Sequence, residues 1–414
     1  MSAAESQRPG PLAGTRVVEL ASEHGAFAGK QLADLGADVI LVEPPGGHPS
    51  RWFEPFLDDE PGLERGLFWW HYNTSKRGVT LDLASEPEVF RSLVRGADVV
   101  LEGEPPSALA TLGIDHDTLR AECPGLVWVS ITPFGRTNSR AAEQATDLTV
   151  LAGGGPVWSC GYDDHSLAPV RGGGNQGYQT ACLWAVMGTL TALVYRDVSG
   201  LGQHVDVSMH AAANVTTEAG SYEWLVAKKT VKRQTGRHAS AWPTMPVMLR
   251  SADGREVTTG FPPRSPKEFA TLLEWLELIG ATEEFPELAF LQMGTEGDGI
   301  NFSDLGVDPV VTEIFGAGRA ALSFIASRLS GYEFFTGAQQ RGLACGLVYS
   351  PEDVMNDPHF IDRGFPVELY HSELDRTVTY PGAPFISAIS PWRLSRPAPQ
   401  LGEHDEEILG PLRA

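Results

Sequence analysis

Cysteine is scarce in this chain: four residues in 414, at Cys123, Cys160, Cys182 and Cys345. They form no CxxC and no Cys/His ligand spacing, so no metal site and no disulfide framework is expected. Reduced, inert and mostly buried thiols in a cytoplasmic protein are the expectation. Positive charge is also short. Lys and Arg number 31 against 53 Asp and Glu, a formal net charge of −22. A surface of that sign repels nucleic acid and anionic membrane, so neither is an expected partner. Any phosphorylated ligand must then be met by a local basic pocket. The N-terminal stretch MSAAESQRPGPLAG has no basic region followed by an apolar run, and it reads as no signal peptide. Long hydrophobic runs are missing too. The longest, Ala181 to Tyr195, is interrupted by Trp, Gly and Thr and reads as too short to span a bilayer.

What is present is a repeating pattern of short apolar runs and amphipathic segments. Apolar residues make up 42% of the chain, enough for a sizeable core, and the length implies two domains. RVVEL (Arg16–Leu20) and ADVILV (Ala37–Val42) read as buried strands. The helical spacing of Ala26 to Leu35 lies between them, with Gly36 at the helix C-cap. The unit fits a right-handed parallel crossover. It repeats as strand Gly78–Leu83, helix Glu86–Arg95 and strand Ala97–Leu101. A short helix from Asp117 and strand Leu126–Ile131 follow. Such alternation predicts an α/β fold with a doubly wound sheet. Beyond Pro133 come a Gly-rich stretch, a long buried helix over Tyr178–Tyr195 and a strand at His204–Met209. A separate α+β segment runs over about Tyr222–Gln340 and includes a surface loop at Gly294–Gly306.

Five blocks carry a resemblance to a known family. They are LAGTRVVELASEHGAFAGKQLADLGADVILVEPPGG (Leu12–Gly47), NTSKRGVTLDL (Asn73–Leu83), VSITPFG (Val129–Gly135) with ATDLT behind it, SGLGQHVDVSM (Ser199–Met209), and SPEDVMNDPHFIDRGF (Ser350–Phe365) with YPGAPF, PWRL and LGEHDEEIL following. In this order they resemble the family III CoA-transferases, the group that includes formyl-CoA transferase, carnitine CoA-transferase and α-methylacyl-CoA racemase. The resemblance implies a Rossmann-like large domain built from both chain ends, a smaller α+β domain and an interlocked dimer. On that basis residues 1–200 belong to the large CoA-binding domain, 222–340 form the small domain, and 341–414 return to the large one. Coenzyme A, as an acyl-CoA substrate, a free carboxylic acid and a second copy of the chain are the implied partners.

The family's nucleophile is an Asp at the start of the long helix, which attacks the acyl-CoA thioester. The matching stretch here is GGGNQGYQTACLWAVMGTLTAL (Gly172–Leu193). Anchoring on Gly188 puts Tyr178 where the Asp belongs, and a shift of one puts Gly177 there. No carboxylate lies between Arg171 and Leu193. The candidate catalytic residues are therefore Tyr178, Asp147 and Glu23. A tyrosine can donate to a thioester oxygen. Asp147 matches an acidic position of the racemase-like branch, whose His is replaced by Ala145 or Thr146; it also reads as a helix N-cap before LTVLAG. Glu23 sits in the first βα turn, where open α/β sheets bind ligands.

For CoA, Lys76 and Arg77 match the family's basic pair. The resemblance further implies a positive charge from Arg51, backbone donors from His24 and Gly25, and Leu112 against the adenine. The pattern departs from the family at Glu102–Ser107 (EGEPPS), at Pro44, and at the lid segment TGRHASAWPTMP, which lacks its glycine run. Phe68, Trp69, Trp70, Tyr72, Trp158 and Trp184 suit a bulky acyl group, or a core. Two alternatives to CoA transfer stay open: isomerisation, racemisation or dehydration of an acyl-CoA through an enolate, and a non-catalytic acyl-CoA-binding subunit. An oxidoreductase reading ranks behind them because the first βα turn lacks GxGxxG.

Overall fold

The computed structural model describes residues 9–242, 244–260 and 262–414. Part of the N-terminal stretch read above for a leader, and Pro243 of the lid segment, lie outside them. The chain divides into two compact units. The first holds the residues up to Cys160, Ala168–Val231 and Met355–Ala414; the second holds Gly161–Leu167 and Lys232–Val354.

The first unit is built on six parallel strands: β1 (Arg16–Leu20), β2 (Asp38–Glu43), β3 (Arg77–Thr80), β4 (Val99–Glu102), β5 (Val127–Thr132) and β6 (His204–Ser208). Their order is β3-β2-β1-β4-β5-β6. Side chains alternate across the sheet, as strand geometry requires. Val17, Val39, Val99 and Val129 face helix α1 (Ala26–Asp34) and the long helix Gln176–Ser199. Val18, Ile40, Val100 and Trp128 face the other way, onto α2 (Pro87–Arg95) and the C-terminal Leu409. Both faces are covered, which is why these strands read as continuous apolar runs. Helix α1 ends as its sequence demands. Gly36 takes φ +97° just past the end, and a Cβ there would also lie 2.8 Å from Gly10.

The last 60 residues close the first unit. A hairpin of Pro366–His371 with Arg376–Pro381 contributes Leu369 and Tyr380 to a cluster with Leu41, Trp69 and Trp70. Trp69 and Trp70 are thus core residues, whereas Trp158 and Trp184 are exposed.

The second unit has an antiparallel three-stranded sheet of Met248–Arg250, Glu256–Thr259 and Cys345–Leu347, and a short hairpin of Lys232–Gln234 with Arg237–Ser240. Its core is formed by Phe269, Leu272, Trp275, Leu322, Ile325 and Phe334. Two helices, Gln176–Ser199 and Pro309–Ala326, are long and apolar enough to cross a membrane. The sequence reading that no segment reaches that length is corrected accordingly. Each of the two nevertheless buries one face in its own unit's core, as a core helix does.

Candidate functional site

The strand order reverses between β1 and β4, and the crevice at the C-terminal ends of these strands is where open α/β sheets take ligands. The segments that follow the two strands meet there. His24 Nε2 lies 3.3 Å from the Gly103 carbonyl oxygen, bridging the crevice. A side chain at position 103 would collide with this ring, because a Cβ there would lie 2.1 Å from Nε2. Gly103→Ala is therefore expected to push the imidazole out of the crevice. A changed His24 ring signal in NMR checks this, and an unmoved ring would refute the contact.

The long helix, α4 (Gln176–Ser199), counted after α3 (Asp147–Gly154), begins at the same place. Its N-cap, Asn175, makes no side-chain cap. The free N–H groups of Gly177 and Tyr178 instead donate to Asp147 Oδ1 at 2.8 and 3.2 Å. Asp147 Oδ2 pairs with Arg171 at 2.9 Å. A carboxylate so placed satisfies orphan donors and the positive end of the helix dipole. This corrects the sequence reading of Asp147 as the cap of its own helix. Thr146 fills that role in a capping box with Thr149. Asp147 is buried and fully engaged.

Tyr178 lies in the first turn of this helix, its ring edge-on to His24 with centroids 5.8 Å apart. Its hydroxyl reaches only the Ala145 carbonyl, at 3.5 Å, too far for a good hydrogen bond. Burial first, then the charges of Glu23 and Asp147, push the phenol up to about 12. It therefore stays protonated and has a donor to offer. Glu23 completes the group. Burial first, then Asp147, raise its carboxyl above the ordinary range. Among the described residues it has no hydrogen-bond or ion-pair partner. The structure thus brings Glu23, His24, Asp147 and Tyr178 together.

Four residues of this cluster carried no sequence signal of their own. Arg171 holds Asp147. Gln179 Nε2 donates to the Tyr72 hydroxyl at 2.9 Å. The Cys182 thiol, pushed up to about 12 chiefly by burial, donates to the His24 carbonyl. Arg136 is the cation at the crevice rim. It binds Glu102 Oε1 at 3.0 Å and the carbonyls of Glu104 and Pro106. Only its place just after β5 could have pointed to it. Glu104, with its carboxyl raised by burial and by Glu102, shares this rim.

The predicted phosphate ligands behave differently. Lys76 is fully buried, and its ammonium donates to Glu19 Oε1, Asn73 Oδ1 and the Ala26 carbonyl at 2.8–2.9 Å. All three protons are used. Arg51 is fully buried as well, clamped by Glu43 and Glu64 and laid over the Trp69 ring. Arg77 pairs with Asp38 and Glu407. Lys76 and Arg51 are thus spent on contacts within the fold, whereas Arg77 is less buried and is engaged by two carboxylates. Gly25 spends its N–H on Ser22 Oγ at 3.0 Å. Leu112 is half-buried at a helix end and packs against the sheet's second core.

Burial is the first cause that pushes three histidines of this unit, His24, His48 and His71, from their ordinary 6.5 down to about 4. Unfolded chains bind these protons near pH 6.5 and the folded protein only near 4. Between those values the unfolded state holds more protons. The stabilisation is therefore complete above pH 6.5 and is lost as pH falls toward 4. Urea unfolding at pH 7 and pH 5 is expected to show a lower midpoint at pH 5. Equal midpoints would contradict the buried neutral imidazoles.

Comparison with known proteins points one way. A sequence model of CoA-transferase family III matches residues 12–405. The chain is 33% identical over 396 residues to subunit BbsE of the succinyl-CoA:(R)-benzylsuccinate CoA-transferase of Thauera aromatica, covering 95% of this chain and 92% of that one. It is 30% identical to the succinate–glutarate CoA-transferase of Agrobacterium fabrum, over 98% of this chain and 96% of the relative. Among solved structures, a CaiB/BaiF family protein from Brucella suis superposes with a TM-score of 0.78 at 27% identity, covering 98% of this chain and all of the other.

Proposed function

Because the chain belongs to family III of the CoA-transferases, enzymes that move coenzyme A from an acyl-CoA to a carboxylic acid, we propose that it performs this transfer with Glu23 as the attacking carboxylate. One observation carries the reading: Glu23 is the partnerless carboxylate of the cluster, while Asp147 is consumed by the helix N-terminus. A carboxylate free of hydrogen bonds keeps its electron pairs for attack, and its raised pKa marks a stronger nucleophile.

The steps balance without any other group. Glu23 attacks the thioester carbonyl and expels CoA thiolate, leaving a mixed anhydride. The thiolate attacks the glutamyl carbonyl, releasing the first acid and leaving a glutamyl-CoA thioester. The acceptor acid attacks that thioester, and the returning thiolate takes the new acyl group and frees Glu23. Tyr178, held protonated, donates to the oxyanion in these steps.

The wider reading follows the family. The strand order of the first unit supports a Rossmann-like CoA-binding domain. We place CoA over the His24–Gly25 turn and Leu112, with Arg136 as the nearest rim cation. The second unit corresponds to the small domain. A homodimer, interlocked as in the family, is supported by an exposed apolar stripe on α4: Leu183, Met187, Val194 and Val198. A cytoplasmic location, with neither membrane nor nucleic acid as partner, agrees with the acidic surface.

A second reading rests on a different observation. The Asp is absent, and one relative is by its printed name a subunit. In that case the chain would bind acyl-CoA beside a paralogue that bears the nucleophile. Mass spectrometry of CoA products from the purified chain separates the two. Transfer of CoA between two acids by this chain alone supports the first. Transfer only after mixing with an Asp-bearing paralogue supports the second. Deuterium uptake from D₂O into the acyl group without transfer marks enolate chemistry instead.

A further inference from the structure

The second unit contains a cavity of about 660 Å³ that none of this chemistry uses. One wall is the predicted lid segment, which contains the Arg237–Ser240 strand and Met245, together with Val247 just after it. The other is α5 (Pro309–Ala326), with Phe315 and Leu322. Among the described residues the lining is mostly apolar and contains no carboxylate. It does contain two guanidinium groups, and they differ. Arg237 is paired with Asp163 at 2.6 Å. Arg319 donates to the Pro246 carbonyl at 3.2 Å and has no ion pair among the described residues. Burial first, then the neighbouring Arg237, push Arg319 below its ordinary value. A cation that is partly desolvated, faces a like charge and borders an apolar chamber is stabilised by an incoming anion.

We infer that this cavity binds an organic acid with an apolar body, its carboxylate held by Arg319. The volume suits a small aromatic or medium-chain acid, and a planar guanidinium matches a carboxylate in two-pronged geometry. The chamber also offers a clean way to close it. Gly316, on the cavity face of α5, has nothing within 4 Å of where a Cβ would stand, so a large side chain enters the cavity rather than the core. The inference is independent of which carboxylate attacks the thioester, because it concerns the second unit alone.

Titration calorimetry of the full chain with phenylacetate and with octanoate tests it. Phenylacetamide serves as the neutral control and phenylacetyl-CoA as the thioester arm. Saturable binding of the acids is expected, stronger than that of the amide. Arg319→Met should weaken it by about tenfold or more. Gly316→Phe should abolish it, with Gly316→Leu as a milder filler should the Phe variant lose its circular dichroism. Glu23→Gln should bind the acids like the unaltered protein. A binding site for the CoA ester elsewhere would show as thioester binding that survives Gly316→Phe. The proposal is overturned if neither acid binds, or if Arg319→Met and the filled-cavity variant bind as tightly as the unaltered chain.

Discussion

Glu23→Gln should lower CoA transfer by about 10³-fold or more, because it removes the bond-forming atom rather than a binding contact. Glutamine has the size and polarity of glutamate but no carboxylate to form the anhydride. The loss should fall on kcat, with KM for acyl-CoA little changed, since Glu23 binds nothing in the free protein. Tyr178→Phe should cost less, about 10²- to 10³-fold, because it removes one oxyanion donor. The two variants also differ in pH behaviour. In the unaltered protein the rate should fall as acid protonates Glu23, with a midpoint above the ordinary carboxylate value, since burial and Asp147 raise it. Asp147→Asn is the informative contrast. It weakens the helix cap and the Arg171 pair and removes a negative neighbour, so the acid limb should move down in pH. A full loss of transfer in Asp147→Asn with Glu23→Gln unaffected would reverse the assignment.

The largest stability change should come from Lys76→Met. This ammonium sits at zero exposure against Glu19, itself 1% exposed. Removing one partner of such a pair leaves an uncompensated buried carboxylate, a loss of about 3–5 kcal/mol. Burial already raises the Glu19 carboxyl, opposed by Lys76, so without the lysine it would take up a proton. Urea unfolding should show a midpoint well below that of the unaltered chain. Glu19→Gln together with Lys76→Met should recover part of the loss, because the orphan charge is gone. The phosphate-ligand reading makes the opposite forecast: weaker CoA binding with the unfolding midpoint unchanged.

The contrast over Lys76 shows what the sequence could and could not tell. Strands buried on both faces announce themselves as apolar runs, and β1, β2 and β5 lie within a residue or two of where RVVEL, ADVILV and LVWVSI put them. The long helix was legible too, although it runs over Gln176–Ser199, beyond the expected Tyr178–Tyr195, and ends at Gly200, left-handed at φ +73°. Partners distant in the chain were not. Nothing local in NTSKRG says that Lys76 will meet Glu19, 57 residues away, or that Arg51 will be clamped by Glu43 and stacked on Trp69. A basic residue in a ligand motif and one in a core ion pair look alike until the fold supplies the acid. The same holds for Asp147, whose sequence neighbours suggest a cap on its own helix while the fold spends it on another, 30 residues on. Glu23 stood out by place alone, and its lack of a partner became visible only in three dimensions.

Intact-protein and peptide mass spectrometry after incubation with an acyl-CoA tests the central claim most directly. The account predicts a CoA thioester on the peptide that contains Glu23, removed by hydroxylamine and missing in Glu23→Gln. An adduct on Asp147, or none at all while the purified chain still transfers CoA, would contradict it.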